Sequence, residues 1–238
     1  MRVVTADLSA TATAAEALAW VEQRFGATAA IASSFGLEDV VLLELASKHA
    51  PSVKVFTLDT GRLPVETYEL IEKLRYRYDL TIETFFPNTT AVEKLVTAKG
   101  HFSFRDSIEN RKECCGIRKV EPLNRALAGR AAWVTGLRRE QSATRAAVEL
   151  VEKDEGRAGL WKVNPLAAWT ETQCWDFVKE HHVPVNALHK QGYPSIGCAP
   201  CTRAVKPGED IRAGRWWWES PDHKECGIHL PTAEGIVR

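Results

Sequence analysis

Hydrophobic and polar positions alternate with a helical period in some segments of the chain and form short apolar runs in others. In residues 13–25, Ala14, Leu18, Val21 and Phe25 fall on one side of a helix. Acidic residues or a proline early in a segment mark further helix starts. Helices are predicted over residues 13–25, 38–49, 64–78, 90–99 and 171–182. Short apolar runs predict strands over residues 29–32, 53–58, 80–86 and 131–137.

Strands and helices alternate through the first half of the chain, with crossovers long enough for parallel strand–helix–strand units. Right-handed crossovers of this kind predict an α/β fold, a doubly wound, mostly parallel sheet with helices on both faces. From about His189 the pattern gives way to Gly, Pro, Cys and Trp. We therefore expect an α/β domain over residues 1–188 and an irregular C-terminal segment over residues 189–238, together forming one structural domain.

Composition and charge exclude several classes of protein. The 238 residues are 45% hydrophobic, which is enough for a sizeable core. Lys and Arg number 31, as do Asp and Glu, and a net charge of zero argues against a general nucleic-acid binder. No window reaches the roughly 20 apolar residues of a membrane span, and the first residues lack a signal-peptide pattern. We expect a cytoplasmic protein that binds neither membrane nor nucleic acid. The charge is uneven, because residues 101–148 carry ten basic and five acidic side chains.

The six cysteines indicate a metal site or catalysis, because disulfides are rare in a reducing compartment. Cys114 and Cys115 are adjacent, and Cys198 and Cys201 form a C-x-x-C. Four such thiolates suit Zn²⁺ or an iron–sulfur cluster. Adjacent residues fit poorly at two corners of one zinc tetrahedron, whereas a [4Fe–4S] cube offers four separate irons. We therefore favour one [4Fe–4S] cluster per subunit. The alternative for the C-x-x-C is a thioredoxin-type dithiol, which its late position in the chain disfavours.

Two loops follow the first two predicted strands, where ligands bind in open α/β sheets. In the first, over residues 33–39, small residues allow close approach, hydroxyls donate hydrogen bonds, and free N–H groups at a helix start favour an anion. The simpler interpretation is that Ser33 or Ser34 caps the following helix. The second loop covers residues 58–62. Neither loop matches the Walker or dinucleotide-binding glycine motif, so a Walker-type NTPase and a simple Rossmann dehydrogenase lose support.

The first loop, Ser-Ser-Phe-Gly-Leu-Glu-Asp, resembles the PP-loop of the adenine-nucleotide α-hydrolase-like superfamily. ATP-pyrophosphatase members usually carry Ser-Gly-Gly-x-Asp-Ser, and this chain has Phe35 in place of a glycine and Glu38-Asp39 in place of Asp-Ser. The ending Gly-x-Glu-Asp, followed by Leu-Asp-Thr-Gly, resembles the sulfonucleotide reductases, which bind a phosphosulfate and do not split ATP. The resemblance implies substrate-binding residues in both loops: Ser33, Ser34, Phe35, Gly36, Asp39, Leu58, Asp59, Thr60, Gly61 and Arg62.

The cysteine pattern resembles the cluster motif C-C…C-x-x-C of the assimilatory adenosine 5′-phosphosulfate (APS) reductases. The flanking sequences resemble it too, as Lys-Glu-Cys-Cys over residues 112–115 and Gly-Cys-Ala-Pro-Cys-Thr over residues 197–202. Related 3′-phosphoadenosine 5′-phosphosulfate (PAPS) reductases usually lack these four cysteines. The resemblance covers the chain from about Ile31 to Leu230, and it implies that Cys114, Cys115, Cys198 and Cys201 hold the [4Fe–4S] cluster.

Cys226, in Glu-Cys-Gly-Ile-His, resembles the nucleophile motif of the same family. The resemblance implies that Cys226 attacks the sulfur of APS, AMP leaves, and thioredoxin or a similar dithiol protein releases sulfite from a Cys–S–SO₃⁻ thiosulfonate. A thiolate is the reactive form, and nearby cations such as Lys224 and His229 lower its pKa. A tail cysteine without a role is the alternative. Cys174 is assigned no role, because free cysteines are usually buried small hydrophobes.

A multiply anionic substrate requires converging cations. Lys119 falls four residues after Cys115, close enough to link cluster and sulfate, and His229 could bond a phosphate or sulfate oxygen. The family resemblance adds five arginines as substrate-binding residues: Arg138, Arg139, Arg145, Arg212 and Arg215. Which of the first three contacts substrate is left open.

Three rival functions remain beside APS reduction. Use of PAPS, or of both nucleotides, is the nearest, because sequence does not reveal a 3′-phosphate pocket. A PP-loop enzyme that transfers sulfur to tRNA is disfavoured by the altered Ser-Gly-Gly-x-Asp-Ser motif. A non-catalytic iron–sulfur or zinc protein that binds nucleotides predicts no role for Cys226. Oligomeric state is also open, and a homo-oligomer is compatible with every one of these functions.

Overall fold

Six short strands form a single sheet in the computed structural model, which describes residues 8–142, 145–157 and 159–220. The strands are β1 (Ala29–Ala32), β2 (Lys54–Leu58), β3 (Ile82–Phe85), β4 (Ala132–Val134), β5 (Val151–Lys153) and β6 (Trp161–Val163). Their order across the sheet is β3-β2-β1-β4-β6-β5. The pairs β1–β2, β1–β4 and β4–β6 are parallel, and Ile31 of β1 lies opposite both Val55 and Val134. The predicted mostly parallel sheet is confirmed, and β5 adds an antiparallel edge that the sequence analysis missed.

Seven α-helices accompany the strands in the described part of the chain: α1 (Ala14–Phe25), α2 (Leu37–His49), α3 (Val65–Arg77), α4 (Thr89–Lys99), α5 (Ile108–Cys115), α6 (Glu121–Leu127) and α7 (Glu171–Glu180). The five predicted helices are all present, with ends displaced by at most two residues. Side-chain caps explain several starts, since Thr13 and Thr170 form capping boxes with Glu16 and Gln173. Among these described helices, none has both the length and the apolar character needed to cross a membrane.

The chain divides into two compact units. The first comprises Met1–Thr57, Glu66–Glu83 and Gly129–Asn186. The centre of its core is formed by fully buried side chains of the two middle strands: Ala29, Ala30, Ile31, Ala132, Trp133 and Val134. Helices α1, α2 and α7 pack their apolar side chains into one core with four of these residues: Ala29, Ile31, Ala132 and Val134. This unit therefore fixes the loops that follow β1 and β4.

The second unit comprises Leu58–Val65, Thr84–Ala128 and Ala187–Arg238. Its apolar cluster is small and includes Leu95, Phe104 and Trp216. Four cysteines share that cluster: Cys114, Cys115, Cys198 and Cys201. The expected division into residues 1–188 and 189–238 stays a prediction.

Candidate functional site

The four predicted ligand cysteines line one cavity in the second unit. Cys114 and Cys115 end α5, and Cys198 and Cys201 flank a short 3₁₀ turn. Each cysteine is 8–9% exposed, and all four are free thiols. No group of three or more potential ligand side chains in the described ranges has the arrangement that holds a metal ion. The structure thus brings together two thiol pairs that are distant in sequence, around a shared space.

Helix α5 carries the adjacent cysteine pair and runs directly into a π-helical turn over Gly116–Val120. Ser107 starts α5 by accepting a hydrogen bond from the Asn110 N–H at 3.2 Å. Such π-helical turns are rare and occur frequently at functional sites. Arg118 and Lys119 of this turn line the cavity with the cysteines. The sequence analysis selected Lys119 but missed Arg118, whose position in the basic stretch beside Lys119 was the available signal.

The loop after β2 is held against the C-x-x-C. The Thr60 hydroxyl oxygen lies 3.2 Å from the Cys198 sulfur. The Arg62 carbonyl accepts a hydrogen bond from the Ala199 N–H at 2.8 Å. Gly61 adopts a φ of +70°, which favours glycine at this turn. This loop therefore supports the cysteine pair as well as lining the cavity through Arg62.

Two further predicted residues of this loop have structural partners. Leu58 is the last residue of β2, and the buried Asp59 follows it. The Asp59 carboxylate accepts a hydrogen bond from the Gly61 N–H at 2.8 Å, and the Asp59 N–H donates to the Phe85 carbonyl at 3.0 Å. These bonds fix the turn that presents Thr60 to Cys198.

Five cations line the cavity around the thiols: Arg62, Arg111, Arg118, Lys119 and Arg215. Burial raises the pKa of Cys201 to about 12, and the neighbouring Cys198 adds to the effect. Burial also raises the pKa of Cys114, despite the arginines Arg62 and Arg118. At Cys198 burial is outweighed by Lys119, the Thr60 hydroxyl and two arginines, so its pKa is lowered. Of Cys114, Cys198 and Cys201, Cys198 is therefore the thiol whose surroundings most favour the thiolate.

Arg215 forms the C-terminal wall of the cavity. Its guanidinium lies 4.8 Å from the centre of the Trp216 ring and donates to the Ser195 hydroxyl at 3.3 Å. Gly197 leaves room for it, since a Cβ there would lie 2.4 Å from a terminal nitrogen of Arg215. Arg212 lies in the preceding turn and is not among the described residues that line the cavity. Of the two predicted C-terminal arginines, Arg215 alone lines this cavity in the described chain.

In the loop after β1, in the first unit, the backbone N–H groups of residues 33–35 are bonded within that unit. The Ser33 N–H donates to the Phe56 carbonyl at 2.9 Å, and the Phe35 N–H donates to the Ser33 hydroxyl at 3.2 Å. The Ser34 N–H and hydroxyl both donate to the Asp39 carboxylate, at 2.6 and 2.8 Å. These three N–H groups are therefore already bonded, whereas the expected anion contact with the N–H groups at the start of α2 stays a prediction.

The simpler interpretation, in which Ser33 or Ser34 caps the helix that follows, also differs from the observed start of α2. Gly36, rather than Ser33 or Ser34, is the N-cap residue, and no side chain caps the helix. Phe35 adopts a φ of 59°, in the left-handed region that favours glycine. That is the position at which the related PP-loops carry glycine, so the loop keeps the backbone shape with a buried aromatic side chain.

Arg138 and its neighbours follow β4 in the same unit. The buried Arg138 donates to the Glu38 carboxylate at 2.9 Å and to the Glu140 carboxylate at 2.9 Å. Arg139 donates to the Val148 carbonyl at 2.7 Å, and Arg145 donates to the Gln141 side chain at 2.5 Å. Arg138 is therefore committed to two carboxylates and orders the start of α2.

Of three further residues considered in the sequence analysis, one is part of neither loop nor of the cavity lining, and two lie outside the described residues. Cys226 and His229 lie outside the described residues. Cys174 is fully buried on α7, and burial, with nearby carboxylates, raises its pKa to about 12. A buried thiol of high pKa is unreactive, which agrees with the absence of an assigned role.

Asp39 provides a test of the loop through pH. Burial raises the pKa of Asp39 from 3.8 to about 6, more than the Ser34 hydrogen bonds lower it. A carboxyl group with a raised pKa binds its proton more tightly in the folded state, so the protein loses stability as pH rises from about 4 to 6. At about 1.4 kcal/mol for each pKa unit, the loss is about 3 kcal/mol. We expect Asp39→Asn to remove this slope.

The measurement is urea unfolding of wild type and Asp39→Asn across that pH range. The difference between the two curves isolates Asp39, because all other titrating groups are common to both. If the two proteins lose stability equally as pH rises, the pKa of Asp39 is not raised in the folded protein.

Gly136 packs against the same loop. A Cβ at this position would lie 2.7 Å from an Asp39 carboxylate oxygen and 2.9 Å from the Glu38 Cβ. Because both neighbours are held by hydrogen bonds, we expect Gly136→Ala to destabilise the protein by about 1–3 kcal/mol. The matched control is Gly116→Ala, whose Cβ would meet no atom within 4 Å. Equal urea midpoints for the two variants would show that the loop after β1 moves to accept the added methyl group without loss of stability.

Comparisons with known proteins agree with this geometry. Residues 28–204 match the family described as the phosphoadenosine phosphosulfate reductase domain. The adenosine 5′-phosphosulfate reductase of Allochromatium vinosum is 55% identical over 198 residues, which is 83% of this chain and 77% of that protein. That of Burkholderia cepacia is also 55% identical, over 86% of this chain and 82% of that protein.

Solved structures give the same fold. A phosphoadenylyl-sulfate reductase from Candida auris, in complex with phosphate, aligns with a TM-score of 0.70 and 29% identity over 82% of this chain and 91% of that chain. An FMN adenylyltransferase from Candida glabrata aligns with a TM-score of 0.56 and 15% identity over 96% of this chain and 84% of that chain. The second likeness concerns the fold alone, and it agrees with the predicted adenine-nucleotide α-hydrolase-like architecture.

Proposed function

Since this chain belongs to the phosphoadenosine phosphosulfate reductase domain family, we propose that it reduces adenosine 5′-phosphosulfate to sulfite and AMP. This reaction serves sulfate assimilation and cysteine biosynthesis. Two relatives named for that activity are each 55% identical to this chain over most of its length. The observation that carries the proposal is the cavity lined by four thiols and five cations, since PAPS reductases usually lack those cysteines.

The four thiols suit a [4Fe–4S] cluster. Cys114, Cys115, Cys198 and Cys201 supply one thiolate for each of four irons, and all are shielded from solvent. The pKa values of Cys114 and Cys201 are raised, so these two thiols would lose their protons on binding the metal. The surrounding cations offset the charge that the thiolates bring. When bound, the cluster adds its charge to the field around the substrate and orders the site.

Cations of the second unit would bind the phosphosulfate. Arg62, Arg118, Lys119 and Arg215 line the cavity and carry the positive charge that a multiply anionic group requires. Lys119 lowers the pKa of Cys198 through its charge, which places that charge near the C-x-x-C. His229 would donate to a phosphate or sulfate oxygen. We assign Lys119 and His229 to stabilisation of the charge that develops on the departing AMP and on the sulfonyl oxygens.

The loop after β1 would bind an uncharged part of the nucleotide. The N–H groups of residues 33–35 are already bonded, and Asp39 adds a carboxylate that repels phosphate. Arg138 is buried and held by the carboxylates of Glu38 and Glu140. Arg139 and Arg145 donate to uncharged oxygens, so in that stretch they are the better candidates for contact with the substrate.

The proposed reaction has two steps. The Cys226 thiolate attacks the sulfur of APS, the bond from sulfur to the phosphate oxygen breaks, and AMP leaves with the electron pair. Thioredoxin, or a similar dithiol protein, then attacks the Cys226 sulfur, and sulfite leaves with the electrons of the sulfur–sulfur bond. The second thiol of thioredoxin displaces Cys226 and forms a disulfide. The two electrons come from thiols, so the cluster need not change its oxidation state, and a reducing cytoplasm is the fitting compartment.

Use of PAPS is the second candidate, because the Candida auris structure is that of a phosphoadenylyl-sulfate reductase and is 29% identical. The test is to purify the protein without oxygen, measure iron and sulfide, and assay sulfite from APS and PAPS with reduced thioredoxin. We expect about four irons for each chain and a clear preference for APS in kcat/KM. Equal or better use of PAPS would overturn the substrate assignment, and no sulfite from either nucleotide would overturn the reductase.

A further inference from the structure

A buried ion pair in the second unit joins α5 to the C-terminal part of that unit. The Arg111 Nε lies 2.8 Å from the Glu219 carboxylate, and the two side chains are only 1% and 5% exposed. Arg111 lies one helical turn before Cys114 on α5. Glu219 follows the tryptophan run, and its N–H donates to the Trp216 carbonyl at 2.8 Å. The pair therefore connects the helix that carries two of the thiols to a distant part of the chain.

Trp216 links the same pair to the other two thiols. Its N–H donates to the Cys201 carbonyl at 3.1 Å. Its ring is buried beneath two guanidinium groups, with Arg111 at 4.9 Å and Arg215 at 4.8 Å from the ring centre. Trp216 also has a φ of 41°, a conformation that side-chain packing must maintain. Glu219 thus holds Trp216 through the backbone and Arg111 through its carboxylate.

The burial of this pair makes it sensitive to loss of one partner. One Glu219 carboxylate oxygen, Oε2, is buried and has no hydrogen-bond partner within the described residues. Breaking a buried ion pair by removing one partner leaves an uncompensated charge, whereas replacing both partners with neutral residues is often tolerated. A change at Glu219 alone would therefore disturb the contact between α5 and the Trp216 segment.

We propose that Arg111 and Glu219 are positioning residues that hold the two thiol pairs around their shared cavity, and so determine how firmly the protein retains its iron. The pair acts before any metal is bound, because it ties Cys114 to Cys201 through protein contacts alone. Supporting contacts of this kind orient metal ligands and affect metal retention without touching the metal. The inference rests on the proposed [4Fe–4S] cluster and concerns its retention rather than the reaction.

The test compares iron release from the full chain purified with its cluster. Protein is mixed without oxygen with a coloured iron chelator, well below the unfolding temperature, and the rate is followed by absorbance. We expect Glu219→Gln to release iron on the order of tenfold faster than wild type, because Arg111 loses its buried carboxylate partner. The double variant Arg111→Gln with Glu219→Gln should release iron more slowly than the single variant, since both charges of the buried pair are then removed.

The matched control is Glu113→Gln. Glu113 lies on the same helix and pairs with Lys99 at 2.6 Å, but its side chain and that of Lys99 are 36% and 42% exposed. An exposed pair contributes little, so iron release should match wild type. Thermal unfolding of the iron-free proteins separates a local effect from a general loss of stability. If Glu219→Gln does not fold, Glu219→Asp keeps the charge with a shorter side chain and should release iron at an intermediate rate.

Three results would overturn the inference. The first is iron release from Glu219→Gln at the wild-type rate, which would show that the pair does not govern iron retention. If only Glu219→Asp folds, the same result with that variant counts. Faster release fully explained by a lower unfolding temperature of the iron-free variant would make the pair merely structural. Wild-type protein without iron would overturn the cluster proposal and this inference with it, whereas a normal iron content with unchanged release in the variant overturns this inference alone.

Discussion

Cys226→Ser is expected to abolish sulfite formation while the fold and the iron content remain those of wild type. A serine hydroxyl ionises far less readily than a thiol, and it offers no sulfur for thioredoxin to attack. Loss of a catalytic nucleophile typically removes most of the rate enhancement, so we expect kcat to fall by at least about a thousandfold. Sulfite release from saturating APS with excess reduced thioredoxin measures the effect.

The control for that variant is Cys174→Ala, which removes a buried thiol of raised pKa in the other unit. Its turnover should remain close to that of wild type. Sulfite formation by Cys226→Ser within tenfold of wild type would contradict the assignment of the nucleophile. Because Cys226 lies outside the described residues, the assignment depends on the sequence motif and on this experiment.

Cys198→Ala is expected to lose nearly all cluster iron. The surroundings of Cys198 lower its pKa, and its sulfur contacts the Thr60 hydroxyl in the loop after β2. Removing its thiolate leaves one iron without a protein ligand and removes the anion that Lys119 stabilises. Iron and sulfide assays on protein prepared without oxygen measure the loss.

Cys174→Ala again supplies the comparison, because it removes a cysteine of similar burial from the first unit. It should keep the full iron content. Full iron in Cys198→Ala would refute the ligand assignment, and equal iron loss in both variants would indicate a general loss of stability rather than a missing ligand.

Much of the sheet could be predicted because its signals are local. The run over residues 29–32 became β1 without any shift, and Thr13 and Thr170 marked two helix starts. Helices α5 and α6 were not predicted, because each is short and the sequence over residues 108–127 is rich in charged side chains. Strands β5 and β6 have three residues each, too few for a clear pattern.

The candidate site shows the same division between local and distant information. The two cysteine pairs could be recognised because each is a compact motif. Arg111 and Glu219 could not be selected, since a single sequence does not reveal that residues more than a hundred positions apart form an ion pair. The hydrogen bonds of Asp39 could not be predicted for a related reason. An acidic residue in a first helical turn usually serves the helix dipole, and nothing local shows that it accepts two bonds from Ser34.

The most direct test of the proposed reaction is mass spectrometry of the wild-type protein after mixing with APS in the absence of any reductant. The account predicts that the peptide containing Cys226 gains the mass of one SO₃ group, that one AMP is released for each modified chain, and that reduced thioredoxin removes the group as sulfite. Consumption of APS with release of AMP while Cys226 remains unmodified would contradict it.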